Sequence, residues 1–275
     1  MRGHCIRAAL LSLLLLDGRL RGDEVTTLTG HSGWIGGVAF APNGKTLASA
    51  SSDRTVKLWD VDTGKELATF RGHHGVVTSL AFSPDAKLLA TGSLDGTIKL
   101  WNPATGDELA TLTGHKTWVN GTVFSQEGKL FASCSSDGTV RLWQTAARRQ
   151  LSVLNAQGGE LRSLAIAPDG KIVAAGSRSG NILRWERVTG RPLAALKAHT
   201  GEVWSLAFSS DGQTLASGGG TWKAPGEVKL WDTTTGKLRT VLNHTGEVLC
   251  VALSAKEKRV AAGSWDKTIK IWKYE

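Results

Sequence analysis

The chain has 275 residues, 41% of them hydrophobic and 21% charged, with a formal net charge of +9; a packed core is within its means, and wholesale disorder is excluded. Three cysteines cannot make a dense disulfide framework, and the chain is too long for a disulfide-stapled miniprotein. Eleven Trp stand against one Tyr, six Phe and one Met, and 33 Gly against six Pro, a bias that points to a repeated motif with many tight turns.

At the N-terminus, Arg2 and Arg7 precede an apolar run, Ala8–Leu16. It is too short to span a bilayer and has the length of a secretory h-region. The pattern predicts a signal peptide over residues 1–22, a helix over 8–16 if that stretch is structured, and a periplasmic or secreted protein. Leu20 and Arg21 make the cleavage motif before Asp23 imperfect, so an uncleaved anchor or a wrongly assigned start codon is the alternative. Without residues 1–22 the net charge falls to +6. No later apolar stretch approaches ~18 residues, so no membrane span is expected in the mature chain. Cys134 and Cys250 sit singly in apolar runs and read as buried free thiols.

From residue 23 onward the chain is periodic. Variants of TVKLWD end at Trp59, Trp101, Trp143, Trp185, Trp231 and Trp272, at intervals of 42, 42, 42, 46 and 41. Gly-His pairs mark the unit starts at His31, His73 and His115, and His199 and His244 keep the histidine; Gln157 replaces it in the fourth unit. Within the second unit, Val76–Phe82, Leu88–Ser93, Thr97–Trp101 and Glu108–Leu112 are short β-prone runs separated by turn residues around Asp85, Asp95 and Gly106. Each unit therefore reads as a four-stranded antiparallel meander. A single such sheet leaves an apolar face uncovered, which radial stacking of several sheets removes. After the sixth third strand, Thr268–Trp272, the chain stops. Val25–Leu28 aligns with Leu67–Phe70 at an offset of 42 and is expected to supply the missing outer strand.

The six units resemble WD-repeat β-propellers over residues 23–275. The resemblance implies an all-β, six-bladed propeller of four-stranded antiparallel blades, closed by pairing of the N-terminal strand with the last blade. It also implies a structural role for a repeated polar set: His31, Ser49, Asp53 and Trp59; His73, Thr91, Asp95 and Trp101; His115, Ser133, Asp137 and Trp143. Ser, His and Asp together imitate a hydrolase triad. Three equivalent copies argue instead for a buried hydrogen-bond chain in each blade, since an enzyme needs one exposed nucleophile beside an oxyanion hole. No catalytic residue is assigned. The set decays in unit four (Gln157, Ala175, Ser179), in unit five (Pro225 for Asp) and in unit six (Ala262 for the hydroxyl).

Lys57, Lys99, Arg141, Lys229 and Lys270 recur two residues before the strand Trp, spread round the ring, so a nucleic-acid stripe is not expected. Metal-ligand spacings and phosphate loops are missing from the sequence, and no metal or cofactor is expected. Five Trp lie off the main period. Trp34 and Trp118 fall in loops before the first strand of a unit, Trp204 in a first strand, and Trp222 and Trp265 in second-to-third-strand loops, all of which map to one face. Arg162 and Leu249 share the repeat position of Trp204, Arg178 that of Trp265, and Lys223 lies beside Trp222. These nine residues are the expected partner-binding set. The resemblance implies a non-catalytic scaffold for a protein or peptide, and the arginines point to an acidic residue on that ligand. A structural module of a larger assembly and a propeller enzyme are the alternatives. The protein is expected to be a monomer.

Overall fold

The computed structural model describes residues 7–9, 27–157, 159–222, 224–254 and 258–274. Every regular element among them is a β-strand. β1 is Arg7–Ala9. The first sheet then runs β2 (Ile35–Phe40), β3 (Thr46–Ser51), β4 (Thr55–Asp60) and β5 (Glu66–Arg71). The second is β6 (Val77–Phe82), β7 (Leu89–Ser93), β8 (Ile98–Trp101) and β9 (Glu108–Leu112), and the third β10 (Val119–Phe124), β11 (Leu130–Ser135), β12 (Thr139–Gln144) and β13 (Arg149–Asn155). The fourth comprises β14 (Leu161–Ile166), β15 (Ile172–Ser177), β16 (Asn181–Glu186) and β17 (Pro192–Lys197). The fifth comprises β18 (Glu202–Phe208), β19 (Thr214–Gly220), β20 (Glu227–Asp232) and β21 (Leu238–Asn243). The last has three strands, β22 (Val248–Leu253), β23 (Arg259–Ser264) and β24 (Ile269–Lys273). Six sheets of antiparallel neighbours, each following the last in chain order, are the blades of a propeller.

Burial explains the residue types. The second and third strands of a blade are covered on both faces by the neighbouring blades, so they read as near-continuous apolar or small runs. Val56, Leu58 and Trp59 of β4 are all buried, as are Ala48 and Ala50 of β3. Outer strands such as β5 face solvent along most of their length. The repeated Lys is buried in this apolar setting and needs a partner. Lys57 Nζ donates to Glu66 Oε2 at 2.7 Å and Thr69 Oγ1 at 2.8 Å, and Lys99 repeats this with Glu108 and Thr111. Third and outer strands are thus latched together within a blade.

One irregularity recurs in all six blades. The pairing of first with second strand skips one residue near its start: Gly36, Thr78, Asn120, Arg162, Trp204 and Leu249 in turn. Each is a β-bulge, a device that re-aims a side chain.

Two expectations concern the chain ends, and one of them is corrected. The ring closure is not among the described pairings: Val25 lies outside the described residues, Thr27 and Leu28 are in no strand, and β24 leaves Ile269 and Ile271 exposed. The expected helix over 8–16 is contradicted where it can be seen. Ala8 and Ala9 belong to β1, which pairs parallel with β2, Arg7 opposite Gly37. The first strand of a blade has an unpaired edge toward the ring axis, and β1 takes it. The rest of residues 1–22 lies outside the described residues.

Candidate functional site

The repeated polar set forms three equivalent chains of hydrogen bonds. In the third blade, Trp143 Nε1–H donates to Ser133 Oγ at 2.9 Å, Ser133 lies 2.8 Å from His115 Nε2, and His115 Nδ1 lies 3.0 Å from Asp137 Oδ2. Since Ser133 accepts from the indole, its hydroxyl hydrogen points to Nε2, and the imidazole proton sits on Nδ1, facing Asp137. His31 with Ser49, Asp53 and Trp59, and His73 with Thr91, Asp95 and Trp101, repeat the pattern at 2.7–3.0 Å. Burial opposes ionisation of Asp137, but hydrogen bonds from Thr139, the Lys116 backbone and His115 outweigh it and bring its pKa down to about 2. Burial pushes His115 below the usual imidazole value. Ser133 and Thr91 are fully buried, away from any substrate.

The decayed units leave specific scars. With Ala262 in place of the hydroxyl, His244 Nε2 is buried with no hydrogen-bond partner, while Nδ1 still reaches Asp266 at 3.1 Å. In unit five, His199 keeps Ser217 at 2.9 Å, but its Nδ1 faces Glu227 across 3.5 Å.

On the loop face, the six bulge residues line one cavity of about 850 Å³. Trp34, Trp118, Trp204, Trp222 and Trp265 line the same cavity, with Arg162, Arg178 and Leu249. Eight of the nine expected binding residues are therefore brought together; the ninth, Lys223, lies outside the described residues. Trp34, Trp118 and Trp222 are 36%, 42% and 53% exposed, and Trp204 and Trp265 are half-buried. Trp222 and Trp265 are tilted ring neighbours, centroids 4.7 Å apart. Arg162 Cζ stands 5.8 Å over the Trp204 ring.

Three carboxylates of the cavity escaped the sequence reading. Glu160, Glu202 and Glu247 also line it, and they occupy the repeat position that holds Trp34 and Trp118 in earlier units, two residues before the bulge. Aligning that position across units was the signal that could have found them. They change the electrostatics. Arg162 Nε donates to Glu202 at 2.6 Å and its Nη2 lies 3.0 Å from Glu160; Arg178 Nη1 donates to Glu160 at 2.7 Å and its Nε lies 3.6 Å from Glu202. The expected acidic ligand thereby loses its support, because the guanidinium donors meant for it are already engaged by internal carboxylates. Burial pushes the Glu247 carboxyl above the usual range, against the hydrogen bond it accepts from Trp204 Nε1 at 2.7 Å; Glu202 adds to the rise.

Among the described residues no group of three His, Cys, Asp or Glu is placed to hold a metal ion, and no helix is long and apolar enough to cross a membrane.

Blades of this repeat, each built on the His–hydroxyl–Trp chain or its remnant, define a WD-repeat propeller. The chain belongs to the WD40 family (WD domain, G-beta repeat), whose model matches residues 22–60, 64–102, 106–144, 148–186, 190–232 and 236–273. It is similar to the nuclear distribution protein PAC1 of Gibberella zeae, 44% identical over 50 residues, which are 18% of this chain and 10% of that protein. It is also similar to the nuclear distribution protein nudF of Aspergillus terreus, 49% identical over 41 residues, 15% of this chain and 9% of that one. The match to PAC1 of Yarrowia lipolytica is 43% over 44 residues, 16% and 10% of the two chains. The chain thus matches about a tenth of the length of these relatives, roughly one repeat. They correct the expected location. Proteins named for the distribution of nuclei point inside the cell, and the reading of this chain as secreted or periplasmic is overturned.

Proposed function

We propose that the chain is a non-catalytic scaffold that captures a segment of a partner protein in the tryptophan-lined cavity of the loop face. The observation that carries this reading is the convergence of five tryptophans from five separate loops and strands on one cavity. A volume of about 850 Å³ lies in the range of ligand sites. Tryptophan is the residue most enriched in binding hot spots, where truncation costs about 2–4 kcal/mol.

Trp118→Ala and Trp222→Ala provide the test, because both rings are exposed. Proteins cross-linked to the wild-type chain in cells should be lost from both variants. Their thermal midpoints should move by no more than about 2 °C, as expected for surface substitutions. Unchanged capture by both would refute the assignment of the face.

A further inference from the structure

The cavity is divided by charge. Its blade-one and blade-three side carries Trp34 and Trp118; its blade-four to blade-six side carries the five ionisable residues that line it among the described residues. Four of those five form a closed ladder, in which each of Arg162 and Arg178 lies within 4 Å of both Glu160 and Glu202. Two cations and two carboxylates cancel, and the remaining charge is that of Glu247.

Glu247 is 5% exposed, and among the described residues no cation is paired with it. The Trp204 indole N–H fills one acceptor position of its carboxylate and leaves others. Glu202 is close enough to act on it electrostatically. The Trp265 backbone N–H donates to the Glu247 carbonyl at 3.0 Å, which places the Trp222–Trp265 pair beside it. Gly220 lies against its side chain, with no Cβ to intervene.

We propose that the cavity receives a basic side chain, lysine or arginine, of the partner segment, seated between tryptophan faces with its charge toward Glu247. This rests on the protein-binding reading above and names the chemistry of what is bound. Indole faces carry negative potential, which attracts a cation and repels a carboxylate. Arg162 over Trp204 already shows the arrangement inside the molecule. Because the chain as a whole is basic, at +9, long-range steering works against a basic partner. Recognition therefore has to be local, at the one carboxylate of the cavity that has no counter-charge among the described residues.

A displayed library of random linear peptides, panned against the full chain and its variants, tests this. Peptides recovered on the wild type should carry Lys or Arg at one position about tenfold above the input frequency. On Glu247→Gln that enrichment should fall to the input level, and on Glu247→Asp, which keeps the charge, it should persist. Recovered peptides with no basic preference, or with an acidic one, would overturn the inference and leave the protein-binding reading standing. Basic enrichment undiminished by Glu247→Gln would overturn it as well. Recovery no greater than on a Trp118→Ala/Trp222→Ala double variant would overturn both.

Discussion

Truncation of His115 measures what one polar chain contributes to a blade. His115→Ala removes the acceptor of the Ser133 hydroxyl and the Nδ1 donor to Asp137. Asp137 keeps the Lys116 and Thr139 backbone donors and the Thr139 hydroxyl, so its loss is partial. Ser133 is fully buried and keeps only the Trp143 indole donor, which leaves its own hydroxyl hydrogen without an acceptor. An orphaned buried hydroxyl costs about 1–3 kcal/mol, and the void left by a missing ring adds to it. A total of about 2–4 kcal/mol follows from those two terms. Gln157, at the same repeat position in the fourth blade, is exposed; Gln157→Ala should stay within about 0.5 kcal/mol of wild type. Urea unfolding followed by tryptophan fluorescence is the assay. With a slope of ~3 kcal/mol/M, the His115 variant should lose roughly 1 M in midpoint and the Gln157 variant almost nothing. Equal midpoints would show that the chain of hydrogen bonds contributes no net stability.

Ala262→Ser should be stabilising by about 1 kcal/mol, since it returns a hydroxyl to the orphaned His244 Nε2 at the spacing that serves His31, His73 and His115; a lower thermal midpoint would contradict this. The raised carboxyl of Glu247 makes its ionisation a burden on the folded state, so that stability falls as pH rises from the free-carboxylate value through the raised one. Glu247→Gln should accordingly raise the midpoint at pH 8 and lose that advantage toward pH 5; an offset independent of pH would refute the linkage. Burial lowers both His115 and His199, so the unfolded chain takes up protons first. Stability should decline as pH falls below about 6.5, and proton uptake on unfolding at pH 6, read by calorimetry in buffers of differing ionisation heat, should be smaller in His115→Ala.

The period was legible because it is written in rare residues: a Trp every 41–46 positions and a His before most units leave little room for another reading. The rim of tryptophans was legible for the related reason that they stand off that period. The bulges were not. Nothing in VTSLAF or EVWSLAF marks an extra residue, because a bulge belongs to the pairing of two strands and not to the alternation within one. The glutamates of the cavity were in plain view but carried the prior of an exposed charge, and only their partners show that Glu247 is buried and that the arginines are engaged. Lys57 and Lys99, read as charge spread round a ring, are internal latches. At the N-terminus the charge-then-apolar pattern reads as an address; the strand at Ala8 and Ala9 contradicts the expected helix there, and the relatives overturn the expected location.

The six bulges give this protein something like a combination lock with one tumbler per blade. Ladder hydrogen bonds resume on both sides of each bulged residue, so its side chain can be exchanged without shifting the sheet behind it. The tumblers do not all turn equally well. Gly36 is jammed, because a Cβ there would sit 2.5 Å from the Val77 carbonyl oxygen. Thr78 and Asn120 bond across to the carbonyls of Val119 and Leu161 in the next blade, and Arg162 is held in its ladder. Trp204 and Leu249 make no side-chain hydrogen bond to neighbouring backbone among the described residues; Trp204 is held through side chains, by Glu247 and under Arg162, and Leu249 follows Glu247 by two residues. If this face binds as proposed, those two positions are the shortest route to a changed preference.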